Sequence, residues 1–507
     1  MPSPNTTFIR LNQNDNVVVA VKPLGLGARI DGMDVKETIA PGHKIATRQI
    51  SRGETVIKYG QVIGYATCDI EPGRHVHDHN LEFRLSRPEH DIGAGFKTIE
   101  PLPDTESRKF LGFDRGDGRY GTRNFIAVLT SVNCSATAAR FIADSFNDEA
   151  LADYGNVDGV VSFTHSTGCG MDLNGEGYAN LQRVLYGYAS HPNCGGVLMV
   201  GLGCETNQFD SLIERYGLKD KQGFRVMSIQ DKGGLRRTID AGQAVIREML
   251  PGVNHATRSP CPLSGLSLGL QCGGSDAWSG ITANPALGYA SDLLIRHGGT
   301  AVLAETPEVY GAEHLLTRRT RDKSVADALL QRISWWEDYV NKNNGTMDNN
   351  PSHGNKRGGL STILEKSLGA VAKSGTLPLE AVYHYADVIT HKGFVMMDSP
   401  GYDPASITGQ IASGCNIVAF TTGRGSVYGS KPAPCIKIAT NTPMFDHMQE
   451  DMDINAGRIL DGDASIEAVG GEILDLLVRV ASGEPSLSEA QGLGDLEFIP
   501  WQIGAVM

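Results

Sequence analysis

Residues 195–208 read GGVLMVGLGCETNQ. A short valine-rich run between glycines is the pattern of a strand buried on both faces, as in a parallel sheet. The run then breaks into a glycine-rich loop bearing Cys204, Glu205 and Asn207. The same grammar recurs around it in NFIAVLTSVNC (124–134), VDGVVSFTHSTGCG (157–170) and GFRVMSIQD (223–231). Stretches of helical period, SATAARFIADSF (135–146) and ANLQRVLYGYASH (179–191), lie between. Strand–loop–helix alternation predicts a parallel sheet with helices on its faces. A second series starts near residue 260 with LSLGLQCGGSD (266–276), TAVLAETPEV (300–309), GFVMMDSPG (393–401), NIVAFTTGRG (416–425) and CIKIATN (435–441). The fold class is therefore α/β, with a body in two parts.

The N-terminal residues read differently. NVVVAV, ETVIKYG and VIGYATCDI are β-branched runs punctuated by PLGLGAR, APGHK, SRGE and EPGRH, the signature of a small all-β unit. The expected organisation is a β domain over 1–85, a Pro-rich polar linker over 86–110, a first α/β domain over 111–256 and a C-terminal α/β domain over 257–507. A chain of 507 residues exceeds what one core organises, which fits several domains. Its 61 glycines, well above the usual level of about 7%, are scattered between apolar runs, as tight turns and backbone-lined pockets require.

Net charge of −13 argues against a nucleic-acid partner, which would want a basic stripe. No apolar run approaches the roughly 18 residues of a membrane span, so no membrane partner is expected. The stretch MPSPNTTFIRLNQNDN has no basic segment followed by an apolar one, so it does not read as a secretory signal. Nine irregularly spaced cysteines do not form a disulfide framework, and a cytoplasmic protein with reduced thiols is expected.

In parallel α/β sheets, ligands bind at the carboxyl ends of the strands. Here those ends carry His165, Ser166 and Cys169; Cys204 and Glu205; Cys272, Ser275 and Asp276; Glu305 and Glu308; Asp398 and Asp403; and Arg424. Cys169, Cys204 and Cys272 read either as soft-metal or iron–sulfur ligands or as small residues filling tight turns, and the absence of a CxxC spacing weighs against the cluster. Lys356, Arg357, Lys366 and Arg424 are candidate carboxylate clamps. GLGCE lacks the full GxGxxG and is not a dinucleotide fingerprint. In the β domain, GRHVHDHNLEF (73–83) places His75, His77 and His79 two apart. If the run is extended, all three imidazoles share one face, where they suit a metal, an anion or proton transfer. An exposed polar edge strand is the plain alternative. His43, Lys44, Lys58 and Tyr59 give this small unit more titratable groups than its core needs.

The motifs GHKIA, VIKYGQVIGYATCDIEPGRHVHDHN, GRYGTRN, HSTGCG, VLMVGLGCETNQ, QCGGSDAWSGITANPALGYASD, NPSHGNKRGGLSTILEKSLG and FTTGRGSVYG, in that order along nearly the whole chain, resemble the altronate and galactarate dehydratase family. The resemblance implies an SAF-type, β-clip-like N-terminal domain and a two-part α/β body. It also implies dehydration of a sugar acid to a 2-keto-3-deoxy acid, with Fe(II) or Mn(II) as cofactor. HVHDHN looks like the altronate branch, whereas TSVNC and QCGGSDAW look like the galactarate branch. Joined to the reading of the residues, it gives an expected metal set of His75, His77 and His79 and an expected acid–base set of His43, Lys44, Lys58 and His165. The expected substrate contacts are Ser166, Cys169, Cys204, Glu205, Ser275, Asp276, Asn355, Lys356 and Arg424. Alternatives are an iron–sulfur dehydratase using Cys169, Cys204 and Cys272, or a non-catalytic sugar-acid sensor. The expected partners are a small-molecule sugar acid and, as a homodimer, a second copy of the chain.

Overall fold

The computed structural model describes residues 6–84, 90–103, 107–220 and 223–507. The N-terminal residues build short antiparallel strands: β1 (Val17–Ala20), β2 (Lys44–Ala46), β3 (Thr55–Lys58), β4 (Gln61–Ala66) and β5 (His75–Val76). β1, β2 and β5 share one sheet, and β3 pairs with β4 in another. Val17, Val56 and Ile63 of these strands enclose a small apolar core with Ile50 and Ile70, which pair as an isolated bridge. Val19 packs instead with Trp278 and Leu460, so one face of this β unit is docked on the C-terminal body.

The 90–110 segment does not hang free. Gly95 N donates to Arg318 O at 2.7 Å, Leu102 N to Arg296 O at 3.0 Å, and the chain enters β6 (Lys109–Asp114). Residues 86–89 and 104–106 of the expected linker, and residue 85 of the expected β domain, lie outside the described residues.

The middle sheet is formed by β7 (Phe125–Thr130), β8 (Gly159–Phe163), β9 (Cys194–Gly201) and β10 (Phe224–Ser228). It is wholly parallel in the order β8-β7-β9-β10. Every residue of β7 is buried, as its unbroken apolar run predicts. Helices α1 (Ala136–Ala143) and α3 (Leu235–Asn254) supply Ala138, Ile142, Ile246 and Leu250 to the core on one face, and α2 (Glu176–Ser190) covers the other. The chain leaves through β11 (Ser259–Pro262), antiparallel to β6, so entry and exit are stitched together.

The C-terminal sheet has seven parallel strands: β12 (Ser267–Cys272), β13 (Thr300–Leu303), β14 (Leu379–Tyr383), β15 (Gly393–Met397), β16 (Ile417–Thr422), β17 (Cys435–Ala439) and β18 (Ile454–Asn455). Their order is β14-β15-β13-β12-β16-β17-β18. Helices α4 (Ala283–Arg296), α5 (His353–Arg357), α6 (Ile363–Val371) and α7 (Asp403–Ala412) follow the strands or fill the polar 343–362 segment. Against the middle sheet, α2 meets α7 so closely that a Cβ on Gly187 would stand 2.2 Å from Ala412 O. One apolar core therefore runs from Leu129 and Tyr188 through to Ile407 and Phe420. Among the described residues no helix is long and apolar enough to cross a membrane, and all nine cysteines are free.

Candidate active site

The histidine run is not one strand. Only His75 lies in β5, and residues 77–80 form a turn held by His77 N donating to Asn80 Oδ1 at 2.9 Å and Asn80 Nδ2 to His75 O at 2.8 Å. The imidazoles gather all the same, because the turn folds His77 back and the neighbouring strand brings His43. His43 Nδ1 and His75 Nε2 stand 2.9 Å apart, and the His43–His77 and His75–His77 ring centres are 4.9 and 5.3 Å apart. His79 is exposed and touches this group only at its rim, 5.2 Å from His75. Burial holds His43 below its ordinary value. His75 is pushed down to about 3 by burial and then by the surrounding imidazoles, and His77 is lowered by burial and then by Lys44. Neutral imidazoles at neutral pH can take a cation or a proton. The buried Nδ1 of His77 has no hydrogen-bond partner. By donor chemistry and an unused, buried lone pair these residues suit a divalent metal, although no three of their nitrogens lie within 4.8 Å of one another as they stand.

The floor of this cluster comes from the C-terminal body. His43 Nε2 lies 3.3 Å from Arg357 O at the end of α5. A Cβ on Gly359 (φ +99°) would fall 2.4 Å from Gly42 O, so only glycine permits the approach. Asn355 ties the loop to the end of β12, its Nδ2 donating to Ser275 O at 2.7 Å. Asn355 Oδ1 also accepts from Ser352 N and Oγ, both at 2.9 Å, in a capping box. Lys356 is half-buried and Arg424 exposed, and neither has an ion-pair partner among the described residues. The β-domain histidines, Ser275 and Asn355–Lys356 thus border one seam, and Arg424 joins it through the loop after β12, its N donating to Gly274 O at 2.9 Å.

Asp276 is not available to a substrate. Its carboxylate accepts from Trp278 N, Ser279 N and Thr440 Oγ1, each at 3.0 Å, and from Asn441 Nδ2 at 3.1 Å. It is a buried brace for the loop after β12, which corrects its expected binding role.

Lys44 and Lys58 also take a different place from the one expected. Both are fully buried and share one carboxylate: Lys44 Nζ donates to Glu365 Oε2 at 2.9 Å, and Lys58 Nζ to Glu365 Oε1 at 2.8 Å. Lys44 also donates to Gly359 O at 2.7 Å. Glu365 sits in the first turn of α6, where the helix dipole favours a negative charge. The two ammoniums hold its carboxyl far below the usual range against the opposing cost of burial. One carboxylate neutralises one ammonium. Accordingly Lys58 is raised by Glu365, while burial lowers Lys44. With no exposed atom, the pair clamps the β unit to the body and does not meet substrate.

The next residue of α6 faces a second buried cluster. Lys366 Nζ donates to Glu308 Oε1 at 2.5 Å and to Asn350 Oδ1 at 2.7 Å. Lys373, seven residues on, donates to Cys272 Sγ at 2.8 Å and Glu305 Oε2 at 2.9 Å. Glu305 follows β13 with φ +64°, and its Oε1 is buried without a hydrogen-bond partner. Burial and then Glu308 raise Glu305, Lys366 lowers Glu308 against the cost of its burial, and burial pushes Asp403 up to about 6. Among the described residues, Cys272, Glu305 and Glu308 are the one group of three donors within 4.8 Å of one another that could hold a metal ion. Lys373 already occupies two of those donors, so a cation entering there competes with an ammonium.

The remaining expected residues lie elsewhere. His165 is buried with both ring nitrogens engaged: Nε2 lies 3.0 Å from Thr130 O, and Nδ1 accepts from Thr167 N at 3.3 Å. It staples a loop and is not poised as a base. Glu205 is consumed by its own turn, accepting from Ser131 Oγ at 2.5 Å and Gly203 N at 2.6 Å. Ser166 accepts from Gln502 Nε2 at 2.7 Å. Cys169 and Cys204 are exposed on the same loops, whereas Cys272 is buried at the end of a strand of the other sheet, so the cysteine trio of the iron–sulfur alternative does not assemble. Glu365 and Lys373 were absent from the sequence expectation. Lys366 lies in α6 and Lys373 in the 3-10 turn (Ala372–Ser374) that continues it, and their seven-residue interval along an apolar stretch was the available sign that two ammoniums share a buried face.

A cavity of about 790 Å³ is lined by Arg115, Arg119, Cys194 and Arg225 at the amino ends of the middle strands. It is lined by none of the groups just described and carries no part of the site.

Comparisons with known proteins agree with the architecture. Residues 6–84 match the altronate/galactarate dehydratase SAF domain, 112–254 the D-galactarate dehydratase/altronate hydrolase second domain, and 263–506 the D-galactarate/altronate dehydratase C-terminal domain. The chain is 37% identical to an altronate dehydratase of Bacillus subtilis, covering 94% of this chain and 95% of the relative. It is 38% identical to a galactarate dehydratase (L-threo-forming) of Escherichia coli, over 97% and 96%. A (2R)-sulfolactate sulfo-lyase subunit beta of Chromohalobacter salexigens is 31% identical over 78% of this chain and 98% of its own length. With all three domain types present in order and full-length relatives above 30% identity, the chain belongs to the altronate/galactarate dehydratase family.

Proposed function

We propose that this hydro-lyase converts D-altronate to 2-keto-3-deoxy-D-gluconate at the seam between the β domain and the C-terminal body. The observation that carries the reading is the cluster of neutral imidazoles, His43, His75 and His77, set against Arg357 O on the helix that also bears Lys356. Lys356 and Arg424 take the substrate carboxylate, Arg424 by its planar fork. An imidazole removes the C2 proton, whose acidity comes from the adjoining carboxylate. The C3 hydroxyl leaves as water after receiving a proton, and the enol relaxes to the ketone. The 2.9 Å contact between His43 and His75 offers a path by which the proton taken at C2 reaches the departing hydroxyl. His75 and His77, with His79 at the rim, would hold Fe(II) or Mn(II), which supplies Lewis-acid stabilisation of negative charge. We take the working form to be a homodimer.

Galactarate is the second reading, favoured by the 38% identity to a galactarate dehydratase over 97% of the chain. The test is turnover by anaerobically purified protein with ferrous or manganous ion, offered D-altronate and galactarate separately and read as 2-keto-3-deoxy product. Product from altronate alone supports the proposal, and product from galactarate alone replaces it. Binding of either acid without product would make the chain a sensor.

A further inference from the structure

Cysteine is among the most buried residue types, yet Cys134, Cys169 and Cys204 are all exposed. Each follows a different strand of the middle sheet: Cys134 after β7, Cys169 after β8 and Cys204 after β9. These three strands are adjacent and parallel, so the thiols stand at one carboxyl edge, where such sheets bind ligands.

The three loops are locked together. Asn133 N donates to Thr167 O at 2.9 Å and Asn207 N to Gly168 O at 3.0 Å, while Asn207 Nδ2 donates to Ser131 O at 2.8 Å. A Cβ on Gly168 would fall 2.3 Å from Ser131 O. The fourth strand adds Gln230, whose Nε2 donates to Cys204 Sγ at 3.4 Å.

We propose that Cys134, Cys169 and Cys204 ligate a cubane iron–sulfur cluster at this edge, with one iron left open. The sulfurs do not form a group within 4.8 Å of one another, as a single ion would require. A cubane holds its cysteines farther apart, at separate corners. Each thiol loses its proton as its sulfur takes up a corner iron of an already formed cluster, so ligation itself transfers no electron. The neighbouring donors are already spent: both ring nitrogens of His165 and the carboxylate of Glu205 hold loop backbone or Ser131. The fourth corner is therefore free for a carboxylate- or hydroxyl-bearing ligand. Gln230 acts on the cluster by a hydrogen bond to a ligating sulfur, a known control of potential.

The test is iron, acid-labile sulfide and visible absorption of the full chain, purified anaerobically and reconstituted with iron and sulfide. About four irons and four sulfides per chain are expected for a cubane. C134S, C169S and C204S should each lose most of the sulfide and colour while keeping wild-type circular dichroism. C68S, an exposed cysteine of the β domain, should keep both. Wild-type protein without sulfide, or with a single zinc, overturns the proposal. So does equal loss in C68S, which would mark non-specific iron sulfide.

Discussion

The seam under the β domain and the loop edge of the middle sheet use the same kinds of residue in opposite ways. At the seam, Lys44, Lys58 and Glu365 are wholly buried and fully engaged, so they hold two domains together. At the loop edge, Cys134, Cys169 and Cys204 are exposed while the polar groups around them are satisfied. A titratable residue that is buried and saturated supports the fold, whereas one that is accessible and unsatisfied is free for chemistry. By that criterion the groups proposed to react at the seam are half-buried His75, the unsatisfied Nδ1 of His77, Lys356 and Arg424, and the lysines behind them are their mounting.

Glu365→Ala is the strongest way to break this contrast. It strands two buried ammoniums and should cost roughly 3–5 kcal/mol, read as a fall in denaturant midpoint with little change in slope. Lys44→Met should be far milder, since Lys58 keeps its partner. Equal losses would refute the unequal sharing of Glu365.

On the middle sheet the sharp test is pH. Burial depresses the folded-state value of His165 to about 4, so between there and its ordinary 6.5 the unfolded chain binds the extra proton. Stability from this group is complete above 6.5 and is lost as pH falls through about 4, on the order of 3 kcal/mol in all. Unfolding midpoints followed across that window should slope less steeply in His165→Gln. An unchanged slope would mean the imidazole does not staple the loop. His75→Ala and His77→Ala should spare stability at neutral pH but lower turnover by roughly a hundredfold or more, with loss of bound metal. Unchanged turnover and metal content would move the reaction away from the seam.

Much of the architecture was legible in the chain. The apolar runs of β7, β9, β12 and β16 appear as buried parallel strands because a strand covered on both faces has no reason to alternate. The site was legible only in part. GRHVHDHN puts its three imidazoles on one face only if it is extended throughout, but Asn80 turns it after β5, and His43 enters from a neighbouring strand. Asp276 and His165 look reactive in sequence, and only their partners show them to be braces. Nothing local in the sequence sets Cys134 apart from a turn residue.

The sequence by itself determined the order of the units, the two parallel sheets and the loops that would carry chemistry. These follow from hydrophobic period and turn residues, which act over a few positions. Tertiary structure alone decided which charged groups were used up and which were left open. That outcome rests on pairings such as Lys44 with Glu365, Lys373 with Cys272 and Asn207 with Ser131. Residues so far apart in the chain meet only after the sheets have stacked, and burial then sets whether a charge is a clamp or a reagent.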